Sequence, residues 1–267
     1  MDIRERYWIM DWGKAKIYLI IAFVITNIIL LISIFSDVNN KNSYFTKESY
    51  QSLNEFLLQK NLNLHIELPK ETPRMGTVKV EYQSFDSSDV KDKFSDFGTS
   101  VDILGDKNLT VSGTRKLGSF YKDKAISDSN LFIENYGLKD NFTLKYAAVN
   151  EENIVVIYNS VYKNRFLEDS YMKFTYLPNG DFIFEMLKMK PVEESKNKKT
   201  VMTSVEAVMR ASSKMQENET IVEVKLGYNY TQSQNLSAAK TKTATAFPCW
   251  RIKTDNNKYY YIEALEF

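Results

Sequence analysis

The chain of 267 residues contains one cysteine and one histidine, and each scarcity excludes a class of protein. A lone cysteine, Cys249, cannot form an internal disulfide, so the chain is not a disulfide-stapled scaffold. A Ser-His or Cys-His hydrolase or a zinc protease would need His65, which faces away from the leucines of its strand-like run. We therefore expect His65 to be an exposed strand residue and Cys249 to be a small buried one, and we expect no catalytic, cofactor-binding or metal-binding residues.

Glycine and proline are also scarce, at 9 and 5 residues, whereas tyrosine and phenylalanine number 17 and 16. This composition argues against a disordered stalk and favours aromatic-rich strands. Neither sign of charge is in excess, since 35 Lys and Arg residues face 34 Asp and Glu residues. A nucleic-acid partner calls for a basic stripe, so we expect no nucleic acid among the partners.

One long apolar run, residues 17–35, carries no charge, and Asn27 is its only strongly polar member. As a helix it is roughly 28 Å long, which is sufficient to cross the hydrocarbon core of a bilayer. We predict a cytoplasmic tail over residues 1–16 and a transmembrane helix over residues 17–35. A cleaved signal peptide is the alternative, but it needs a shorter apolar region and a small-x-small site, which residues 33–36 match poorly.

The flanks of the apolar run predict its orientation. Bases precede it, whereas the segment after it contains Asp37 and no base until position 41. Because positive charge is retained on the cytoplasmic side, we expect a single-pass protein of the cell membrane with its N-terminus inside and its bulk outside. An exported domain without disulfides is typical of a Gram-positive surface protein. The predicted membrane-interface anchors are Trp8, Trp12, Lys14 and Lys16.

Residues 44–267 alternate between helical and β-rich patterns. Capping residues and helical spacing predict helices over 46–60, 129–136 and 203–215. Alternation and aromatic content predict strands over 62–68, 77–82, 142–149, 154–162, 171–177, 182–187, 221–230, 246–252 and 259–265. The predicted fold class is α+β, with one N-terminal transmembrane helix and two exported helix-and-antiparallel-sheet subdomains over residues 44–125 and 126–267.

Three stretches between these elements have their own interpretations. Residues 178–181, Pro-Asn-Gly-Asp, predict a hairpin turn inside an antiparallel meander formed by the four runs between 142 and 187. Residues 86–125 are polar and give no clear elements. Residues 188–199 are charged and lack a period, which predicts a linker or surface loop. Glu193 and Glu194 lie in that loop, so we interpret them as solvated residues and not as an acid/base pair.

Short motifs along most of the chain resemble one known family. They are residues 10–16 running directly into the apolar run, Glu206-Ala207 in a helix, Leu226-Gly227-Tyr228 in a strand, residues 248–252 and residues 259–264. Their order and spacing resemble YycI, the membrane-anchored regulator of the cell-wall two-component system YycFG (WalRK) of low-GC Gram-positive bacteria. The family usually begins at the Met-Asp-Trp found here at residue 10, and it commonly has a small residue in place of Cys249.

The resemblance implies a protein that works by contact. Members associate through their transmembrane helices with a YycH-like partner of related fold and with the sensor histidine kinase, and so adjust kinase output. Helices in lipid associate through small residues and interhelical hydrogen bonds, so a polar side chain at mid-span is expected to face another helix. The predicted transmembrane contact residues are Ala22, Thr26, Asn27 and Ser33. The alternative for Asn27 is a polar residue that a strongly apolar span tolerates.

A second function stays open from the residues themselves. Trp250, Tyr228, Tyr230 and the tyrosines at 259–261 could line a pocket for a wall fragment or a lipid headgroup. Aromatic residues at strand spacing also serve as core and cross-strand pairs. The alternative function is therefore a surface-anchored ligand-binding module.

Overall fold

The computed structural model describes residues 12–40, 47–96, 98–104, 107–139, 141–230 and 242–265. These ranges contain five helices and fourteen strands, so the α+β fold class is confirmed as a mixed fold in which sheet predominates. The helices are α1 (Trp12–Asn40), α2 (Lys47–Gln59), α3 (Ser87–Lys93), α4 (Lys122–Asn135) and α5 (Ser204–Ser212). The strands are β1 (Asn63–Leu64), β2 (Arg74–Met75), β3 (Val78–Tyr82), β4 (Gly98–Leu104), β5 (Asn108–Thr114), β6 (Phe142–Val149), β7 (Ile154–Tyr162), β8 (Arg165–Tyr176), β9 (Asp181–Leu187), β10 (Met189–Glu194), β11 (Lys199–Thr200), β12 (Thr220–Asn229), β13 (Thr243–Thr254) and β14 (Tyr259–Glu263).

Helix α1 contains the apolar run and belongs to a compact unit, Met1–Ser52, separate from the unit Leu53–Phe267. Its side chains are described from Lys16 to Leu31, and their exposure ranges from 48% at Val24 to 72% at Leu19 among the large apolar residues. Counting only the described residues, no helix is long and apolar enough to cross a membrane. The predicted span over residues 17–35 is therefore not confirmed.

The main sheet of the unit Leu53–Phe267 has twelve strands, with the path β10-β3-β13-β12-β8-β9-β5-β4. Strand β14 pairs with β13, β7 pairs with β8 and carries β6, and β1 pairs with β12. The two parallel pairs both involve β12, which pairs with β1 at residues 220–221 and with β8 at residues 227–228. Strand β8 therefore joins the two halves of the sheet. Its residues 166–167 pair with β12, and its later residues pair with β9, while β7 pairs with it as well.

An aromatic core fills the space between helices α3 and α4 and strands β5, β7, β8 and β9. Phe132 of α4 is fully buried, and its ring centroid lies 5.4 Å from that of Phe174 and 5.0 Å from that of Phe184. Phe174 and Phe184 are opposite each other on β8 and β9. Burial of each large side chain contributes about 1.5–3 kcal/mol, so this cluster is a main source of stability for this half of the sheet.

A second core lies beneath helix α5, where its residues Val205, Ala207, Val208 and Ala211 are buried. Trp250 of β13 is 1% exposed, and its indole Nε1–H donates to the carbonyl of Met202 at 3.0 Å. Thr203 caps α5, because its hydroxyl accepts a hydrogen bond from the Glu206 amide at 3.1 Å. The aromatic residue is thus buried with its polar atom satisfied.

The close approach of β8 and β12 depends on a glycine. A Cβ atom at Gly227 would lie 2.5 Å from the ring of Phe166, the residue opposite it on β8. No side chain fits at that distance without moving the ring. The glycine of the Leu226-Gly227-Tyr228 motif is therefore required by the packing of this joint.

The predicted meander is confirmed, since β6, β7, β8 and β9 pair antiparallel in chain order. The predicted hairpin turn is also confirmed. Gly180 has φ +92°, and the Asn179 side chain accepts a hydrogen bond from the Asp181 amide at 3.0 Å. A glycine at this position avoids the cost of a positive φ.

Other boundaries were predicted wrongly. The linker over 188–199 contains strand β10, which pairs with β3, and the beginning of β11, which pairs with β2. Strand β10 lies at an edge of the sheet, where charged residues are favoured. Its charged residues interrupt the apolar/polar alternation that would have indicated a strand. The strand over 62–68 is paired only at Asn63–Leu64 among the described residues. Helix α4 begins at Lys122 and not at 129, and the region 86–125 contains α3, β4 and β5.

The predicted division into subdomains at residue 125 stays a prediction. Among the described residues, five strand pairs cross that position: β1 with β12, β2 with β11, β3 with both β10 and β13, and β5 with β9. The strands before residue 125 are therefore hydrogen-bonded to strands after it.

Candidate functional site

Strand β8 contains a bulge of three residues beside the joint with β12. Asn159 of β7 pairs with Tyr171, but the next residue, Ser160, pairs with Leu167. Glu168, Asp169 and Ser170 therefore have no counterpart in β7. A bulge redirects side chains out of the regular alternation, and here it places two consecutive carboxylates inside the protein.

Arg251 of β13 occupies the centre of a buried group that we call the charged cluster, made of Arg251, Glu168, Glu223, Lys145 and Tyr261. The Arg251 side chain is 3% exposed, and its Nη1 donates to Glu168 Oε2 at 2.9 Å. Its Nη2 lies 3.3 Å from Glu223 Oε1. The guanidinium carbon also lies 4.1 Å from the ring centroid of Phe166. Burial of this charge is thus balanced by two carboxylates and an aromatic face.

Lys145 and Tyr261 complete the charged cluster on the other oxygen of Glu168. Lys145 forms an ion pair with Glu168 Oε1, and the Tyr261 hydroxyl donates to the same oxygen at 2.7 Å. Burial and the adjacent Glu168 carboxylate raise the pKa of Tyr261. Glu168 therefore accepts from three side-chain donors and links strands β6, β8, β13 and β14.

Asp169, the next residue of the bulge, supports a different element. Its carboxylate accepts a hydrogen bond from the backbone amide of Tyr230 at 2.7 Å, immediately after β12 ends. Burial raises the pKa of Asp169 to about 6, although the Tyr230 amide opposes this shift. Ser170 Oγ accepts a hydrogen bond from the Met189 amide at 3.0 Å, so the bulge also fixes the beginning of β10.

We expect the variant Asp169→Asn to change the dependence of stability on pH. Asp169 binds its proton more tightly in the folded chain, so its ionisation lowers the free energy of unfolding as the pH rises from 3.8 to about 6. Asparagine carries no charge, so the variant should gain stability relative to wild type through that window and keep a constant advantage above it. Urea denaturation at several pH values measures this difference. A difference that stays constant from pH 4 to pH 7 would contradict the prediction.

A cavity of about 500 Å³ adjoins the charged cluster. Its wall includes Lys145 of β6, Asn159 of β7, Arg165 and Phe166 of β8, residues 224–226 of β12, and Trp250 and Arg251 of β13. Arg165 donates to Glu71 at 3.1 Å, and the Glu71 side chain is 76% exposed. The cavity thus combines a buried apolar part with basic side chains, as small-ligand sites do.

The predicted transmembrane contact residues lie in α1, away from this site in the chain. Ala22, Thr26 and Asn27 are exposed, and the Thr26 hydroxyl donates to the Ala22 carbonyl at 2.8 Å. Ser33 is in α1, but its side chain lies outside the described residues. Of the predicted interface anchors, Lys16 is exposed, the side chains of Trp12 and Lys14 lie outside the described part, and Trp8 lies outside it entirely. The roles of all eight residues stay predictions.

Three other predictions can be compared with the structure. His65 is exposed, as predicted, but it follows β1 and is not a strand residue. Cys249 is buried, as predicted, and burial raises the pKa of its thiol. Glu193 is exposed, but Glu194 is largely buried and forms an ion pair with Lys163 at 2.5 Å. The interpretation of Glu194 as a solvated residue was therefore wrong. Of the predicted pocket aromatics, Trp250 lines the cavity.

Sequence reasoning missed the charged cluster and the bulge that builds it. A signal for the cluster was present, because Arg251 lies between Trp250 and Ile252 in a predicted core strand. A charge within such a strand requires a buried partner. No comparable signal marks Glu168, which precedes the predicted strand over 171–177.

Comparison with known proteins gives one family and several solved structures, including two of low sequence identity. The family model described as the YycI protein matches residues 40–265. The chain is 12% identical to an uncharacterized protein from Eubacterium rectale ATCC 33656, with a TM-score of 0.47 over 77% of this chain and 84% of that one. It is 10% identical to the Bacillus megaterium YpeB C-terminal domain, with a TM-score of 0.40 over 68% of this chain and 94% of that one. The curated proteins give no match. Because the family match covers most of its length, the chain belongs to the YycI family.

Proposed function

We propose that this protein is a membrane-anchored, extracytoplasmic regulator of a cell-wall sensor histidine kinase, without catalytic activity of its own. Membership of the YycI family, a regulatory family, carries the proposal, because it fits a regulator of the YycFG two-component system. The proposed partners are the kinase and a YycH-like single-span protein. The protein acts by contacts of its transmembrane helix and of its exported domain.

The exposure of α1 supports the membrane part of the proposal. Fully apolar side chains from Ile17 to Leu31 are about half exposed or more. Water-exposed apolar surface of this extent is rare in soluble proteins, and it marks a membrane or protein contact. We propose residues 17–35 as the span, with residues 1–16 in the cytoplasm.

Asn27 supports a helix contact within the lipid. Thr26 satisfies its hydroxyl on the Ala22 carbonyl of its own helix, whereas the Asn27 amide has no hydrogen bond to any described side chain or backbone group. In lipid such an amide gains most from a partner helix. Asn27 is therefore the strongest candidate among the four proposed contact residues.

Purification of the full-length chain from membranes tests the proposed function. We expect a histidine kinase and a second single-span protein to be recovered with it, since both would contact the same helix. Recovery of neither, under conditions that retain other membrane complexes, would remove the support for regulation by contact.

The variant Asn27→Leu tests the contact residue. It should leave membrane insertion intact but weaken the complex by about 0.5–2 kcal/mol, because an interhelical hydrogen bond is lost. This corresponds to about a two- to thirtyfold loss of association. Crosslinking or energy transfer in membranes at matched expression measures it, with Ile25→Leu as the control. If Asn27→Leu and Ile25→Leu associate equally well with the partner proteins, Asn27 makes no interhelical contact and is a polar residue that the apolar span tolerates.

A second candidate function rests on the cavity beside the charged cluster. Its volume of about 500 Å³ lies in the range of small-ligand sites. This observation favours a surface-anchored module that binds a wall fragment or a lipid headgroup. A purified chain that carries a small ligand but no protein partner would favour the second candidate over the first.

A further inference from the structure

The edge of β12 that faces β1 and β8 is paired only at its two ends. One edge of β12 pairs with β13 from Ile221 to Asn229. The other edge pairs with β1 at residues 220–221 and with β8 at residues 227–228. Among the described residues, no strand pairs with the interval between them. We call this interval, residues 222–226, the open edge.

The cavity lies at the open edge. Val224 and Lys225 are consecutive strand residues that alternate between the two faces of the sheet, and both line the cavity. Trp250 and Arg251 of the neighbouring strand also line it. The cavity therefore borders the part of β12 that lies between its pairing with β1 and its pairing with β8. We call it the slot.

The length of the slot suits a short extended peptide. Residues 222–226 span about 17 Å at the strand rise of ~3.3 Å per residue. The chain after β1 and the turn before β8 occupy part of this length, because Pro69 and Asn164 also line the cavity. About three peptide residues fit the remainder. Main-chain groups of β12 would pair with such a segment, as in other cases of strand addition.

The charges of the slot favour an acidic segment. Four cations line it, namely Lys145, Arg165, Lys225 and Arg251, against one carboxylate, Glu71. Arg251 forms ion pairs with Glu168 and Glu223, and Lys145 forms an ion pair with Glu168. Arg165 is bound to the exposed Glu71 through Nη2 at 3.1 Å, a pair that an incoming carboxylate can replace. Lys225, 55% exposed, forms an ion pair with Glu223 at 2.5 Å, and an incoming carboxylate can compete for this lysine as well.

We infer that this slot binds an extended, acidic peptide segment of a partner protein, which adds a strand to the open edge of β12 between β1 and β8. The site gives the exported domain a contact of its own. It deepens the proposed function, on which it rests only for the identity of the partner. A small ligand held by side chains is the competing occupant.

Peptide binding to the full-length chain in lipid nanodiscs tests the inference. The probes are the tripeptide Ac-Val-Glu-Val-NH2, its lysine counterpart Ac-Val-Lys-Val-NH2, and the glutamate peptide with its two internal amides N-methylated. Methyl NMR signals of Val224 and Leu226 report binding at the slot. We expect the glutamate peptide to bind about tenfold more tightly than the lysine peptide, because like charges at the rim repel the latter. N-methylation should weaken binding about fivefold or more, since each net hydrogen bond is worth ~1 kcal/mol.

Two variants separate charge from fold. Arg165→Gln should remove most of the preference for glutamate while the N-methylation effect remains, and Lys139→Gln, a distant exposed lysine, should change neither. Equal binding of the glutamate and lysine peptides, insensitivity to N-methylation, or no shift at millimolar peptide would each overturn the inference. No kinase is present in this experiment, so its result does not test regulation of the kinase. The proposed function is tested separately, by purification of the full-length chain from membranes.

Discussion

Replacing Glu168 by alanine is expected to lower the free energy of unfolding by about 3–5 kcal/mol, the cost of breaking a buried ion pair on one side. The variant leaves the Arg251 side chain, 3% exposed, with the longer contact to Glu223 as its remaining carboxylate and with the Asn159 amide oxygen at 3.0 Å. It also removes the partner of Lys145, whose side chain is 12% exposed. Two buried cations would then lie within one cluster without their shared carboxylate.

Urea denaturation of wild type and variant measures this loss. Glu223→Ala serves as a matched control, since Glu223 is 23% exposed and meets Arg251 at 3.3 Å, and it should cost clearly less. The double variant Glu168→Leu with Arg251→Met should recover part of the stability, because it removes one of the two cations that lose the Glu168 carboxylate. A cost below about 1 kcal/mol for Glu168→Ala would show that water reaches the charged cluster and replaces the carboxylate.

Deleting residues 1–40 is expected to release the protein from the membrane and to abolish most of its control over the kinase. The deletion removes α1 and leaves the compact unit Leu53–Phe267 and the family match almost complete. Under the proposed function, residues 17–35 hold the chain in the membrane, so the deletion should leave the remaining domain without its anchor. Fractionation measures the release, and a reporter of the YycFG response measures the control.

A chimera separates tethering from recognition. Replacing residues 17–35 by an unrelated single-span helix of equal length should restore membrane location but not full control, because the proposed contact residues are absent. Full control by the released domain would contradict the prediction. Full control by the chimera would restrict the function of the helix to tethering.

The sequence predicted best those elements whose pattern reflects burial on one face. The strands between 142 and 187 alternate between core and surface, and the turn at Asn179 and Gly180 fixes how two of them pair. The antiparallel order of these four strands followed from these local signals. Helix α4 was predicted too short, because its first turns bury little besides Ala125.

Features made by distant residues could not be predicted in this way. Whether residues 62–68 form a strand depends on the backbone of β12, more than 150 residues later, which pairs with two of them. The charged cluster has the same origin, since Lys145, Glu168 and Arg251 come from three strands and meet only because β8 bulges. The alternation of apolar and polar residues along a strand predicts which side chains are buried. It does not predict which residues of other strands they contact.

Because β8 joins the two halves of the sheet, the halves should unfold together. Its last residues hold the aromatic core through Phe174, and its first residues hold β12 through Phe166, whose ring covers Gly227. Pulling β8 out of either half exposes the other, so the halves should melt in one cooperative transition, as a single folding unit does. Mechanical force applied at one end of the chain should therefore unfold the whole domain in a single step.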